Sequence, residues 1–165
     1  MSDAHDFRSA VPGVELVWRF CRFDALTLRE LQFIYMARQE VFAIEQQCAY
    51  LDADGLDEHA FHLAAWSTAR REPLAYARLI DPGVKYGEAS MGRVITTATA
   101  RGRGLGRTLV ARAIAHAAAV WPGGALRISA QTRLASFYES FGFVAVGPPY
   151  LEDGIDHTEM LLAGF

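Results

Sequence analysis

A chain of 165 residues with 52% hydrophobic side chains is long enough to bury one core and too apolar for a disordered segment. Its two cysteines, Cys21 and Cys48, exclude a disulfide framework, and no run reaches the roughly 18 apolar residues of a membrane helix. The net charge of −3 is unevenly spread: Arg93, Arg101, Arg103, Arg107, Arg112, Arg127 and Arg133 face only Glu88 between residues 87 and 133, a local +6 that leaves −9 elsewhere.

Asp3, Asp6, Arg8 and Glu15 break the basic-then-apolar order of a secretory signal, so a cytoplasmic protein is expected. Residues 1–12 read as loosely ordered, and a strand follows at Val14–Phe20. Thr27-Leu28-Arg29-Glu30 matches a capping box. Leu28, Leu31, Ile34, Tyr35 and Phe42 follow at near-helical spacing, predicting a helix from about 27 to the mid-forties. Gln46–Asp57 is an acidic loop. Ala60–Trp66 and Leu74–Ile80 are strand-like runs joined by a turn at Arg70–Pro73, with a third strand at Ala89–Thr96. After Arg101-Gly102-Arg103-Gly104-Leu105-Gly106 comes an amphipathic helix, with Leu105, Leu109, Ala113 and Ala117 in one row and Trp121-Pro122-Gly123-Gly124 as its stop. Leu126–Ala130 is a short strand. Leu134, Phe137, Tyr138 and Phe141 form one face of a short helix, and Phe143–Val146 and His157–Leu162 are the final strands, joined by turn-rich Gly147–Asp156.

The strand–helix–strand over about 89–130 requires a parallel crossover, whereas the short turns elsewhere require antiparallel neighbours. The expected fold class is α/β (α+β): a mixed, mostly antiparallel sheet with a central parallel β-α-β unit and helices on both faces, in a single domain over residues 1–165.

The glycine-rich segment between strand and helix is the feature with chemistry in it. Glycines let main-chain amides approach a ligand, and a helix N-terminus adds free N–H groups and partial positive charge, an arrangement suited to phosphate. G-x-G-x-x-G fails because position 107 is arginine, and the P-loop pattern fails because Gly106-Arg107-Thr108 lacks its lysine. An acidic remainder argues for a small phosphorylated ligand and against nucleic acid.

Arg101-x-x-Gly104-x-Gly106 after a strand, with Phe137-Tyr138-x-x-x-Gly142-Phe143 some thirty residues later, resembles the Gcn5-related N-acetyltransferase (GNAT) superfamily. Val41-Phe42-x-x-Glu45-Gln46, Gly92-Arg93-Val94-Ile95 and Glu152-Asp153-Gly154-Ile155-x-His157 are similar to its ElaA-type branch. The resemblance implies acetyl-CoA as cosubstrate without a metal, and direct transfer of acetyl to an amine of a small molecule or peptide. A monomer or homodimer is expected, and composition and charge speak against membrane and nucleic-acid partners. A sensor that binds acetyl-CoA without turnover is the alternative.

By the same resemblance, Val94, Ile95 and Thr96 meet the pantetheine arm, and Arg101, Gly102, Arg103, Gly104, Leu105, Gly106 and Arg107 surround the pyrophosphate. Tyr138 touches the cofactor as proton donor to the leaving sulfur. Gln131 stands where many members carry a cofactor-contacting asparagine. A main-chain amide near Val94 is the expected oxyanion donor, and Gly92 marks either a bulge there or a position of close packing. An amine of pKa about 10.4 needs help to lose its proton, and Glu45, His62 and His157 are the candidate bases. The acidic sets Glu45, Asp52, Asp54, Asp57, Glu58 and Glu152, Asp153, Asp156, Glu159 point to a cationic acceptor. His59 and His62 fall on opposite faces of a strand and make no paired metal site.

Overall fold

The computed structural model describes residues 5–11, 14–68 and 72–164. In chain order these form β1 (His5–Val11), β2 (Val14–Arg22), α1 (Leu28–Gln39), β3 (Ala60–Ser67), β4 (Pro73–Ile80), β5 (Ala89–Thr96), α2 (Leu105–Val120), β6 (Ala125–Gln131), α3 (Ala135–Glu139), β7 (Val144–Ala145), β8 (Tyr150–Glu152) and β9 (Ile155–Ala163). One sheet runs in the order β1-β2-β3-β4-β5-β6-β9-β7, with β8 added to β9. Every pairing is antiparallel except β5 with β6. The mixed sheet with its parallel crossover is therefore as the sequence predicts.

The start of the chain is a correction: within the stretch expected to be loosely ordered, β1 pairs with β2 from His5↔Phe20 to Val11↔Val14. A second correction is β8, which forms inside the turn-rich Gly147–Asp156 segment and pairs Tyr150 with His157. Of the turn predicted at Arg70–Pro73, Arg70 and Arg71 lie outside the described residues.

Period-two alternation places the core on both faces. Leu63, Ala65, Ala75, Ala77 and Leu79 pack with Leu105, Leu109, Val110, Ala113 and Ala117 of α2. Ala64 and Tyr76 pack with Ile34, Val41 and Ile95 beneath α1. All eight residues of β4 are buried, which places the strand between the two helical layers. Thr27 and Glu30 make both halves of the predicted capping box, at 3.2 and 2.8 Å. Of the residues predicted at helical spacing, Ile34 is buried and Leu31, Tyr35 and Phe42 are half-buried; Leu28 alone is exposed, at 87%. Arg38 and Val41 face inward with Ile34. Beyond Gln39 the helix widens into a π-turn over Glu40–Glu45, with Gln46 N donating to Val41 O.

Two features of the central strands position the site. Strands β5 and β6 pair only at Ala89↔Leu126 and Ser90↔Arg127, then diverge. Between Tyr76↔Ile95 and Arg78↔Gly92 the β4–β5 ladder carries one extra residue on β5, a bulge holding Arg93 and Val94 opposite Ala77. The residue that absorbs the bend is Arg93, at φ 52°, and not the neighbouring glycine.

Candidate functional site

The divergence of β5 from β6 opens a cleft of about 310 Å³. Its walls are Met91–Val94 of β5 and Ile128–Gln131 of β6; Leu134 and Tyr138, Gln46, Cys48 and Tyr50, and Glu152, Asp153 and His157 also line it. Of the residues singled out from sequence, Val94, Gln131, Tyr138 and His157 therefore meet in one space.

Tyr138 is 6% exposed, held edge-on by Phe137 at 5.1 Å and Phe143 at 5.8 Å between ring centroids. Burial pushes its phenol up to about 12. The hydroxyl makes no hydrogen bond among the described residues. A protonated phenol in a cleft with its donor unspent can serve an incoming ligand. His157 lies in β9 opposite Gln131 of β6. Its Nδ1 is 2.9 Å from the Ile155 carbonyl, an acceptor only, so that nitrogen carries the proton and Nε2 of the neutral ring holds the lone pair. The Glu152 carboxylate stands 3.9 Å from Nε2, and accepts from Ser129 Oγ at 3.2 Å.

The other two candidate bases are corrected. His62 is 1% exposed and lies outside the cleft, with Nδ1 2.8 Å from Tyr76 Oη and Nε2 3.0 Å from the Asp57 carbonyl. Burial drives its pKa down to about 4, a neutral core imidazole with both nitrogens occupied. Glu45 sits beside the cleft, but its carboxylate is ion-paired with Arg101. Cys48 lines the cleft, where burial and then Asp153 push its thiol up, the opposite of an activated nucleophile.

The glycine turn is open. Gly102 and Gly104 adopt φ 74° and 76°, and a Cβ at either would meet nothing within 4 Å. Gly104 precedes α2 in place of a capping side chain, and the first helical bond runs from Thr108 N to Gly104 O at 3.2 Å. The amides of Leu105, Gly106 and Arg107 are left without intrahelical acceptors. The turn does not border the cleft itself; it adjoins the outer end of β5, where Arg101 Nε donates to Thr96 O at 3.0 Å and Gly106 faces the Thr96 methyl. The flanking charges are partly spent. Arg101 pairs with Glu45, and Arg107 donates to Ser140 Oγ at 2.9 Å and lies over Phe141. Ile95 turns its side chain into the core beneath α1. Gln131 bridges the cleft, donating to Gln46 Oε1 at 3.0 Å and accepting from Arg133 Nε at 2.9 Å.

The first acidic set is the largest correction. Asp52, Asp54 and Asp57 do not present free charge, because Arg38, Arg78 and Arg93 consume it. Arg38 reaches Asp52 and Asp57, each at 2.8 Å; Arg78 holds both oxygens of Asp54 at 2.7 Å and Asp57 at 3.0 Å. Arg93 Nε meets Asp52 Oδ1 at 2.7 Å. Burial opposes ionisation of Asp54 and Asp57, yet these guanidiniums hold both carboxyls below the usual range. The network is the principal site element that sequence reasoning missed. One signal was legible: Arg78 interrupts an otherwise apolar strand, which demands a buried counter-charge. Lys85 and Tyr150 also escaped notice. Lys85 lines the cleft, and Tyr150 Oη lies 2.6 Å from Ser129 Oγ.

Comparison with known proteins places this arrangement. Residues 34–163 match the family model described as "Acetyltransferase (GNAT) domain". A UPF0039 protein of Synechocystis is 43% identical over 148 residues, 90% of this chain and 96% of its own. The crystal structure of an acyl-CoA N-acyltransferase from Pseudomonas aeruginosa is 42% identical with a TM-score of 0.86, over 90% of this chain and 99% of that one. Escherichia coli ElaA is 32% identical with a TM-score of 0.83, over 88% and 98% of the two chains.

Proposed function

We propose, from the premise that this chain belongs to the GNAT acetyltransferase family and has ElaA among its relatives, that it transfers an acetyl group from acetyl-CoA to a primary amine by direct attack. The observation that carries the reading is the meeting, in one cleft, of the unspent Tyr138 hydroxyl, the His157 imidazole and the bulged main chain at Arg93–Val94.

The residues suit the cosubstrate. The open turn at Gly102 and Gly104, with unbonded amides at the mouth of α2, is a diphosphate cradle, and the unpaired edge of β5 at Val94 and Thr96 accepts an extended arm as an added strand. When bound, the coenzyme supplies an activated acyl group as a thioester. Three tasks fall to the protein. The Val94 amide, without a register partner on β4 at the bulge and on β6 where the strands diverge, donates to the carbonyl oxygen. His157 Nε2 takes a proton from the amine, and the resulting imidazolium is balanced by Glu152. Tyr138 gives its proton to the sulfur as the C–S bond breaks and the C–N bond forms.

Of the two acidic sets, only Glu152 and Asp153 border the cleft without an arginine partner among the described residues, and on them rests the choice of a cationic acceptor. The requirement for acyl-CoA suits a cytoplasmic setting. A thiol-release assay with acetyl-CoA against amines, polyamines, amino sugars and peptides tests the reading. Expected is release dependent on a cationic amine and strongest at low salt. Cofactor binding without release for any amine would leave a sensor in its place, and preference for anionic acceptors would remove the role of Glu152 and Asp153.

A further inference from the structure

We infer that Arg93 is a positioning residue of the transfer reaction, clamping the β5 bulge to the acidic loop so that oxyanion donor and acceptor wall are set together. This rests on the reading above.

Arg93 is one of three non-glycine residues with positive φ among the described residues; the others are Gln47 and Asp153. All three lie in or beside the cleft: Arg93 and Asp153 line it, and Gln47 is flanked by lining Gln46 and Cys48. A left-handed arginine persists only where its surroundings hold it. Here the holding contacts are explicit. Arg93 Nε donates to Asp52 Oδ1 at 2.7 Å, and Nη2 donates to the Asp52 carbonyl and Asp54 Oδ2, each at 3.2 Å. Its guanidinium lies 5.0 Å from the Tyr50 ring centroid. Every anchor belongs to the loop between α1 and β3. That loop is itself moored to the fold, because Asp52 also accepts from Arg38 in α1 and Asp54 from Arg78 in β4.

The next residue along the main chain is Val94, which has no strand partner on either side. The direction of its amide depends on the peptide that Arg93 bends. The same loop supplies Gln46, Cys48 and Tyr50 to the cleft wall. A single side chain thus ties the aim of the carbonyl-polarising amide to the position of the acceptor wall. Glycine at 93 would keep the left-handed backbone without strain and lose only the clamp, which separates the two contributions.

The experiment uses the full chain and three variants: Arg93→Gly, Arg93→Lys and Asp52→Asn. Coenzyme A affinity is measured by calorimetry, kcat and KM by thiol release, and the carbonyl stretch of bound 13C-labelled acetyl-CoA by infrared difference spectroscopy. Expected for Arg93→Gly is a fall in kcat of about 10- to 100-fold, less than the roughly 10²- to 10³-fold lost when an oxyanion donor is removed outright. Coenzyme A Kd should stay within about twofold, and the carbonyl stretch should return toward its value in solution. Arg93→Lys should recover part of both, and Asp52→Asn should lower kcat in the same sense. A purely structural role would lower stability or cofactor affinity without moving the carbonyl stretch. Unchanged kcat and stretch in Arg93→Gly and Asp52→Asn, with the wild type active, would overturn the clamp and leave the proposed function standing. A wild type that binds no acetyl-CoA would remove both.

Discussion

Replacing Tyr138 by phenylalanine removes one oxygen from the cleft and nothing else. The hydroxyl bonds to no described residue, so its loss strands no partner, and the ring remains edge-on between Phe137 and Phe143. Stability should change by about 1 kcal/mol or less, within about 4 °C in Tm for a chain of this size. Turnover should change far more. A phenol held up to about 12 stays protonated across the working range, so the donor is always loaded. Loss of a positioned general acid costs about 10²- to 10⁴-fold, or roughly 3–5 kcal/mol of barrier at 1.36 kcal/mol per tenfold. Steady-state thiol release should therefore show kcat at least about tenfold lower with coenzyme A Kd unchanged. The wild-type rate should not fall through loss of this proton anywhere below about pH 11. Turnover equal to wild type would refute the assignment and return Tyr138 to the core.

Gly104→Ala places a side chain at φ 76°, costing about 1–2 kcal/mol of left-handed strain although its Cβ meets nothing; calorimetry should show coenzyme A binding weakened about tenfold or more, and unchanged affinity would contradict the cradle. His62 has a folded pKa of about 4 against about 6.5 unfolded, so as the pH falls the unfolded chain takes the proton first. Its contribution is complete above about pH 6.5 and should decline by roughly 3 kcal/mol as the pH drops toward 4, visible as a falling Tm that His62→Gln flattens. Asp57→Asn breaks a buried carboxylate shared by Arg38 and Arg78 and should cost about 3–5 kcal/mol in denaturant unfolding; a loss under about 1 kcal/mol would show that the network carries little.

The central sheet, both long helices and the glycine turn were legible because each rests on local rules: short apolar runs bounded by turns in β3 and β4, a capping box at Thr27, and left-handed glycines before α2. What escaped was non-local. The Asp52, Asp54 and Asp57 carboxylates read as free charge because their partners Arg38, Arg78 and Arg93 come from three other elements. Arg38 of α1 escaped for the same reason, since it takes a core position that no apolar periodicity reveals. A bulge was one of two readings of Gly92, but the strained residue is Arg93, because its side chain has the anchors to hold that conformation.

The amide signals of the turn offer the most direct test. In a nitrogen-15 correlation spectrum, titration with coenzyme A should move Gly102, Gly104, Leu105, Gly106 and Arg107 most strongly and downfield, as donors engaging the diphosphate. Binding that shifts other residues and leaves these five in place would contradict a main-chain cradle at the mouth of α2.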